Sequence, residues 1–142
     1  MPIVVERMDQ VAQMLSAPRA LTLVSVPWSP WPRQSRRIFD ELEKCRESWL
    51  PGVPVSFFEL QPESDEDLQG WYDKFCEVHF PQFELHGHGY GPFWWLSNGE
   101  VLDCLAKPCD HTRYALQQRY SQLNLQSACP PSSCPNNVTK PN

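Results

Sequence analysis

Cysteines and histidines hold this chain's capacity for redox or metal chemistry, so their spacing comes first. Cys76, His79, His86 and His88 fall close together, with Cys-x-x-His and His-x-His spacings that suit the tetrahedral S and N coordination of zinc. No second cysteine pair accompanies them. The plainer reading makes Cys76 an inner-face helix residue and leaves the histidines in a wet Gly-rich loop, with no metal and no cofactor. Cys104/Cys109 and Cys129/Cys134 could each close a small disulfide. Neither pair has the Cys-x-x-Cys spacing at a helix start that lowers a thiol pKa. Neither a Ser–His–Asp set nor a phosphate-cradling Gly loop can be assembled from the sequence. The acidic run Asp65-Glu66-Asp67 reads as the start of a helix, with negative charge at the positive end of its dipole.

A different kind of site is carried by Pro27-Trp28-Ser29-Pro30-Trp31-Pro32-Arg33. Ser29 is placed as a helix N-cap, accepting a bond from the Trp31 N–H, with Pro30 at the first helical position. Pro30 and Pro32 remove two backbone donors, which disfavours anion capture at this helix end. The turn is stiffened instead of charged. Trp28, expected to be partly buried, and Trp31, expected at the exposed tip, then offer aromatic surface from a rigid backbone. Such a surface binds protein or peptide at small entropic cost.

The chain as a whole limits the choices. Its 142 residues make one domain with a real core. The net charge of −5 provides no electrostatic footprint for nucleic acid. No apolar run reaches the roughly 18 residues of a membrane span. The N-terminus has no signal-peptide pattern, so a cytoplasmic location with free thiols is expected.

The elements that must position these residues can be read from periodicity. Ile3-Val4-Val5 is a short strand, and 7–15 has helical spacing closed by Pro18. Residues 20–26 are nearly continuously apolar, a strand buried on both faces. A helix starts at the Trp28–Trp31 turn and runs to about Trp49, stopped by Pro51-Gly52. A second central strand covers 53–60. Ser64 is expected to cap a helix that turns Leu68, Trp71, Tyr72 and Phe75 inward. Phe93-Trp94-Trp95-Leu96, Asn98-Gly99 and Val101–Leu105 form the clearest hairpin signal. Asp110 can cap a last helix to Leu123, whose apolar positions include Tyr114, Leu116 and Tyr120. Residues 1–125 form the domain, and 126–142 read as a Pro/Ser/Cys-rich flexible tail. Alternating strands and helices followed by a hairpin imply an α/β three-layer sandwich around a mixed sheet.

Over roughly residues 3–123 this order resembles the thioredoxin family. Trp28 stands at the family's active-site Trp, Gly91-Pro92 at its cis-proline, and Asn98-Gly99-Glu100 at the turn between its last two strands. The resemblance implies a thioredoxin-like fold with a peptide-docking face made of Trp28, Ser29, Pro30, Trp31, Pro32, Gly91 and Pro92. It also implies what is missing. The dithiol positions read Ser29 and Pro32, and the family's buried acid falls near Leu23. Thiol–disulfide exchange needs an attacking and a resolving thiol. The expectation is therefore a non-catalytic binding or accessory module whose partner is a protein or extended peptide. The alternatives are an unconventional thiol protein using Cys104/Cys109 or Cys129/Cys134, and a metal-binding domain.

Overall fold

Five strands form the central sheet of the computed structural model, which describes residues 1–81 and 89–127. In chain order the strands and helices are β1 (Ile3–Val5), α1 (Val11–Ser16), β2 (Ala20–Val24), α2 (Trp31–Lys44), α3 (Arg46–Trp49), β3 (Ser56–Leu60), α4 (Glu66–His79), β4 (Phe93–Ser97), β5 (Glu100–Leu105) and α5 (Arg113–Ser127). The sheet order is β1-β3-β2-β4-β5. β1 and β2 pair parallel with β3, and β4 runs antiparallel to both β2 and β5. The expected three-layer α/β architecture is the one observed.

Alternation along the strands divides the core. Ala20 and Val24 of β2, Phe58 and Leu60 of β3, and Trp94 and Leu96 of β4 face α1 and α4, where Met14, Leu68, Tyr72 and Cys76 meet them. Leu21, Leu23, Phe57, Phe93 and Trp95 face the other way, against Phe39 and Leu42 of α2 and Leu116 and Tyr120 of α5. Every residue of β2 is buried, because helices cover both sides of a strand at the centre of the sheet. The β4–β5 hairpin closes through Asn98 (φ 50°) and Gly99 (φ 82°), the two left-handed residues of a type I′ turn.

Several boundaries differ from expectation. The long helix breaks at Cys45 into α2 and α3, and β3 begins at Ser56 instead of Val53. The first helix opens as a 3-10 turn over Met8–Gln10. α4 is capped by Asp65, whose carboxylate accepts from the Leu68 N–H at 3.3 Å and from the distant Met8 N–H at 3.1 Å. Ser64 instead ends a 3-10 turn, its hydroxyl 3.2 Å from Gln61 Oε1. Asp110 likewise ends a 3-10 turn, and the Thr112 hydroxyl accepts from the Ala115 N–H at the start of α5. Tyr114, expected on the apolar side of α5, is exposed. The tail from residue 128 onward lies outside the described residues.

Candidate functional site

The C-terminal ends of β2 and β3 and the start of β4 meet beneath the Trp-rich turn. The Val24 N–H bonds Pro92 O at 3.0 Å, and the Ser25 N–H bonds Leu60 O at 2.9 Å. The chain then leaves the sheet and enters α2. The Ser29 hydroxyl accepts from the Trp31 N–H at 3.2 Å, the bond its position implied. The helix begins one residue later than expected. Pro30 flanks it, its carbonyl accepting from the Arg33 N–H at 3.2 Å, and Pro32 occupies the first turn.

Trp28 is 52 % exposed, and its indole N–H donates to Glu63 Oε2 at 2.5 Å. This fixes the ring against the loop that follows β3. Trp31 is 40 % exposed. Tyr90 meets it edge-on at 5.9 Å, and the Lys107 ammonium sits 4.6 Å from the Trp31 ring centre and 4.9 Å from that of Tyr90. Both indoles are thus partly open to solvent and held in one orientation.

The other expected site residues lie deeper. Pro32, Gly91 and Pro92 are buried under the turn. Gly91 has φ +71°, and a Cβ there would lie 2.8 Å from both the Pro32 Cα and the Ser35 Oγ. Only glycine allows the loop to approach α2 so closely. The Ser35 hydroxyl fastens the same loop by donating to Tyr90 O at 3.0 Å. The Gly91–Pro92 peptide is trans, as is every peptide bond among the described residues, which corrects the expectation of a cis-proline. The left-handed Gly91 supplies the reversal that brings the chain into β4.

One charged pair was not foreseen. Glu59 lies beside Leu23 in the β2–β3 register, with its side chain buried. A carboxylate therefore does sit beneath the first turns of α2, one strand away from the expected position. Arg36 of α2 grips it through both terminal guanidinium nitrogens, Nη1 at 2.6 Å from Oε1 and Nη2 on Oε2, while Gln61 Nε2 donates at 3.1 Å. Burial pushes the Glu59 pKa up, but the hydrogen bonds from Arg36 and Gln61 and the Arg36 charge outweigh it, so the net shift is downward. The group is an ionised anchor that ties α2 to the sheet. A single acidic residue inside the apolar run Phe57-Phe58-Glu59-Leu60 was the available signal.

No protein-family model and no curated protein sequence matches the chain. Solved structures do. Thioredoxin from Trypanosoma brucei brucei aligns at TM-score 0.56 and 14 % identity, over 88 % of this chain and 92 % of that one. The Malassezia sympodialis thioredoxin Mala s 13 gives 0.53 and 13 %, over 85 % and 91 %. Human ERp44 gives 0.61 and 14 %, over 85 % of this chain and 29 % of its own. The chain has a thioredoxin fold.

Within this thioredoxin fold the described cysteines Cys45, Cys76, Cys104 and Cys109 are free, and none of them belongs to the turn. Burial pushes Cys76 up to about 12, and a hydrogen bond with Tyr72 offsets only part of that. Cys104 is also pushed up to about 12, by burial and then by the Asp103 charge. Cys109, in the 3-10 turn after β5, is raised by burial and by Asp110. Cys129 and Cys134 lie outside the described residues, as do His86 and His88. Cys76 is on the buried face of α4, while His79, one turn on, is exposed and packs its ring 4.2 Å from Phe75. Among the described residues no three ligand-type side chains converge. None of the described helices is long and apolar enough to cross a membrane.

Proposed function

We propose that this chain is a non-catalytic binding module of thioredoxin fold, which docks a protein or extended peptide on the Trp28–Trp31 turn. The observation that carries the reading is the pair of indoles, 52 % and 40 % exposed, held in place by Glu63 and by the Tyr90–Lys107 clasp. Preset aromatic surface of this kind is what binding hot spots are made of. Ser29 and Pro30 form the outer edge of the face. Pro32, Gly91 and Pro92 are its buried foundation, so a partner meets side chains at the turn and not the Gly91 backbone.

The chemistry of the turn supports the non-catalytic half of the reading. A hydroxyl engaged as a cap and a buried pyrrolidine ring occupy the positions that the resemblance assigns to sulfur. Thiols with pKa values near 12 are almost wholly protonated at neutral pH and are poor nucleophiles there. In this reading the protein works in the cytoplasm with its thiols reduced.

The test is display selection of peptides on the wild-type protein and on Trp31→Ala. Peptides enriched on wild type should lose at least about tenfold in affinity on the variant, a hot-spot loss. Its stability should fall by only about 1–2 kcal/mol, from the lost Tyr90 and Lys107 contacts. Enrichment that ignores the substitution, or insulin-disulfide reduction above background that a Cys→Ser change abolishes, would refute the proposal.

A further inference from the structure

A groove of about 380 Å³ opens beside the turn, between the Trp28 indole and one face of α4. Residues 69, 73 and 77 of α4 follow each other at intervals of four, and 72 and 76 form the neighbouring row, so both rows face the groove. The two rows differ in chemistry. Tyr72, with Phe80 just past the helix and Trp28 opposite, makes an aromatic wall. Asp73 and Glu77 make an acidic rim, and Glu63 adds a third carboxylate beneath the Trp28 N–H. No basic residue is among the described lining residues, and none of the three carboxylates forms an ion pair with a described residue.

From this we infer that the groove takes a basic side chain, lysine or arginine, presented by the partner that docks on the turn. The inference rests on the reading of that turn as a docking face and names the chemistry of its partner. A long aliphatic stem lies along Trp28 and Phe80, while the cationic head reaches Asp73 and Glu77. The stem keeps apolar contact, and the head stays at the half-open rim where its solvation is only partly lost. The indole adds cation–π attraction to the same head. An acidic or uncharged polar side chain would satisfy one half of the groove and not the other. Charge complementarity therefore selects one class of occupant from a groove that apolar area alone would leave open.

Blocked, fluorescein-labelled nonapeptides with randomised uncharged flanks and a central Arg, Lys, citrulline or norleucine provide the probe, read by fluorescence anisotropy on the full chain. The Arg and Lys pools should bind about three- to tenfold tighter than citrulline and norleucine, the scale of two partly exposed ion pairs. That preference should shrink as salt rises. Asp73→Asn with Glu77→Gln should erase it, and both positions are exposed, so folding is spared. Glu47→Gln with Glu100→Gln removes the same charge from the opposite end of the sheet and should leave the preference intact. A preference lost equally in that control is general attraction to an acidic protein, and it overturns the inference. Arg and citrulline pools that bind alike, yet both weaken on Trp31→Ala, overturn the inference while the docking face stands. Failure of every pool to bind removes both.

Discussion

Replacing Arg36 by methionine strips Glu59 of its cation while keeping most of the apolar stem in place. Its effect can be worked from the geometry. The Glu59 side chain is 4 % exposed and takes two hydrogen bonds from Arg36, whereas the Arg36 side chain is 39 % exposed. Breaking a fully buried pair from one side costs about 3–5 kcal/mol, because the remaining charge has no compensation. The open side of Arg36 lets water screen part of the interaction, which lowers the expectation to about 2–3 kcal/mol. For a chain of this size that is a fall in Tm of roughly 5–10 °C. The loss should depend on pH in a particular direction. In the wild type the Glu59 pKa is below its ordinary value of 4.5, so its stabilisation is present above that value and disappears as pH falls through the lower folded pKa. In the variant burial, the largest influence, is opposed only by the Gln61 hydrogen bond and raises the pKa above 4.5. Its penalty is therefore largest at neutral pH and shrinks as the carboxyl protonates. Urea denaturation at pH 7 and pH 5 measures both effects. Arg36→Met with Glu59→Leu should recover most of the loss, since two apolar groups leave no charge to desolvate. A single variant that loses less than about 1 kcal/mol, or a double variant no better than the single, refutes the assignment of Glu59 as a charged anchor held by Arg36.

Two further expectations concern the surroundings of the turn. Gly91→Ala adds a methyl group 2.8 Å from the Pro32 Cα at a φ of +71° and should cost about 2–4 kcal/mol by equilibrium unfolding, from backbone strain and overpacking together; a neutral effect would mean that the loop does not abut α2. With the other five cysteines changed to serine, Cys76 should react with a disulfide reagent at pH 8 only as fast as the protein opens, because its thiol, with a pKa near 12, is protonated and buried. Labelling within seconds under native conditions would contradict that burial.

Much of the architecture is local information. The apolar run 20–26, the stop at Pro51-Gly52 and the Asn98-Gly99 turn each act over a few residues through side-chain pattern and backbone preference, so a linear reading reaches them. The same holds for the cap that Ser29 provides and for the absence of sulfur at positions 29 and 32, which follow from residue identity alone.

Position-by-position choices between near-equivalent groups were settled by partners far along the chain. Ser64 and Asp65 are both good caps, and Asp65 is used because its carboxylate also holds the Met8 N–H. Leu23 is not acidic, yet a carboxylate sits at its level, because β3 lies beside β2 and brings Glu59 under Arg36. Gly91 and Pro92, expected in the docking face, are buried because α2 is laid across them. The groove between Trp28 and α4 exists only once the β2–α2 turn and the β3–α4 connection stand side by side. Residue identity determines which backbone shapes and chemistries are available. Which groups share a desolvated space depends on strand order and helix placement, since burial and charge pairing act between atoms close in space however far apart in sequence.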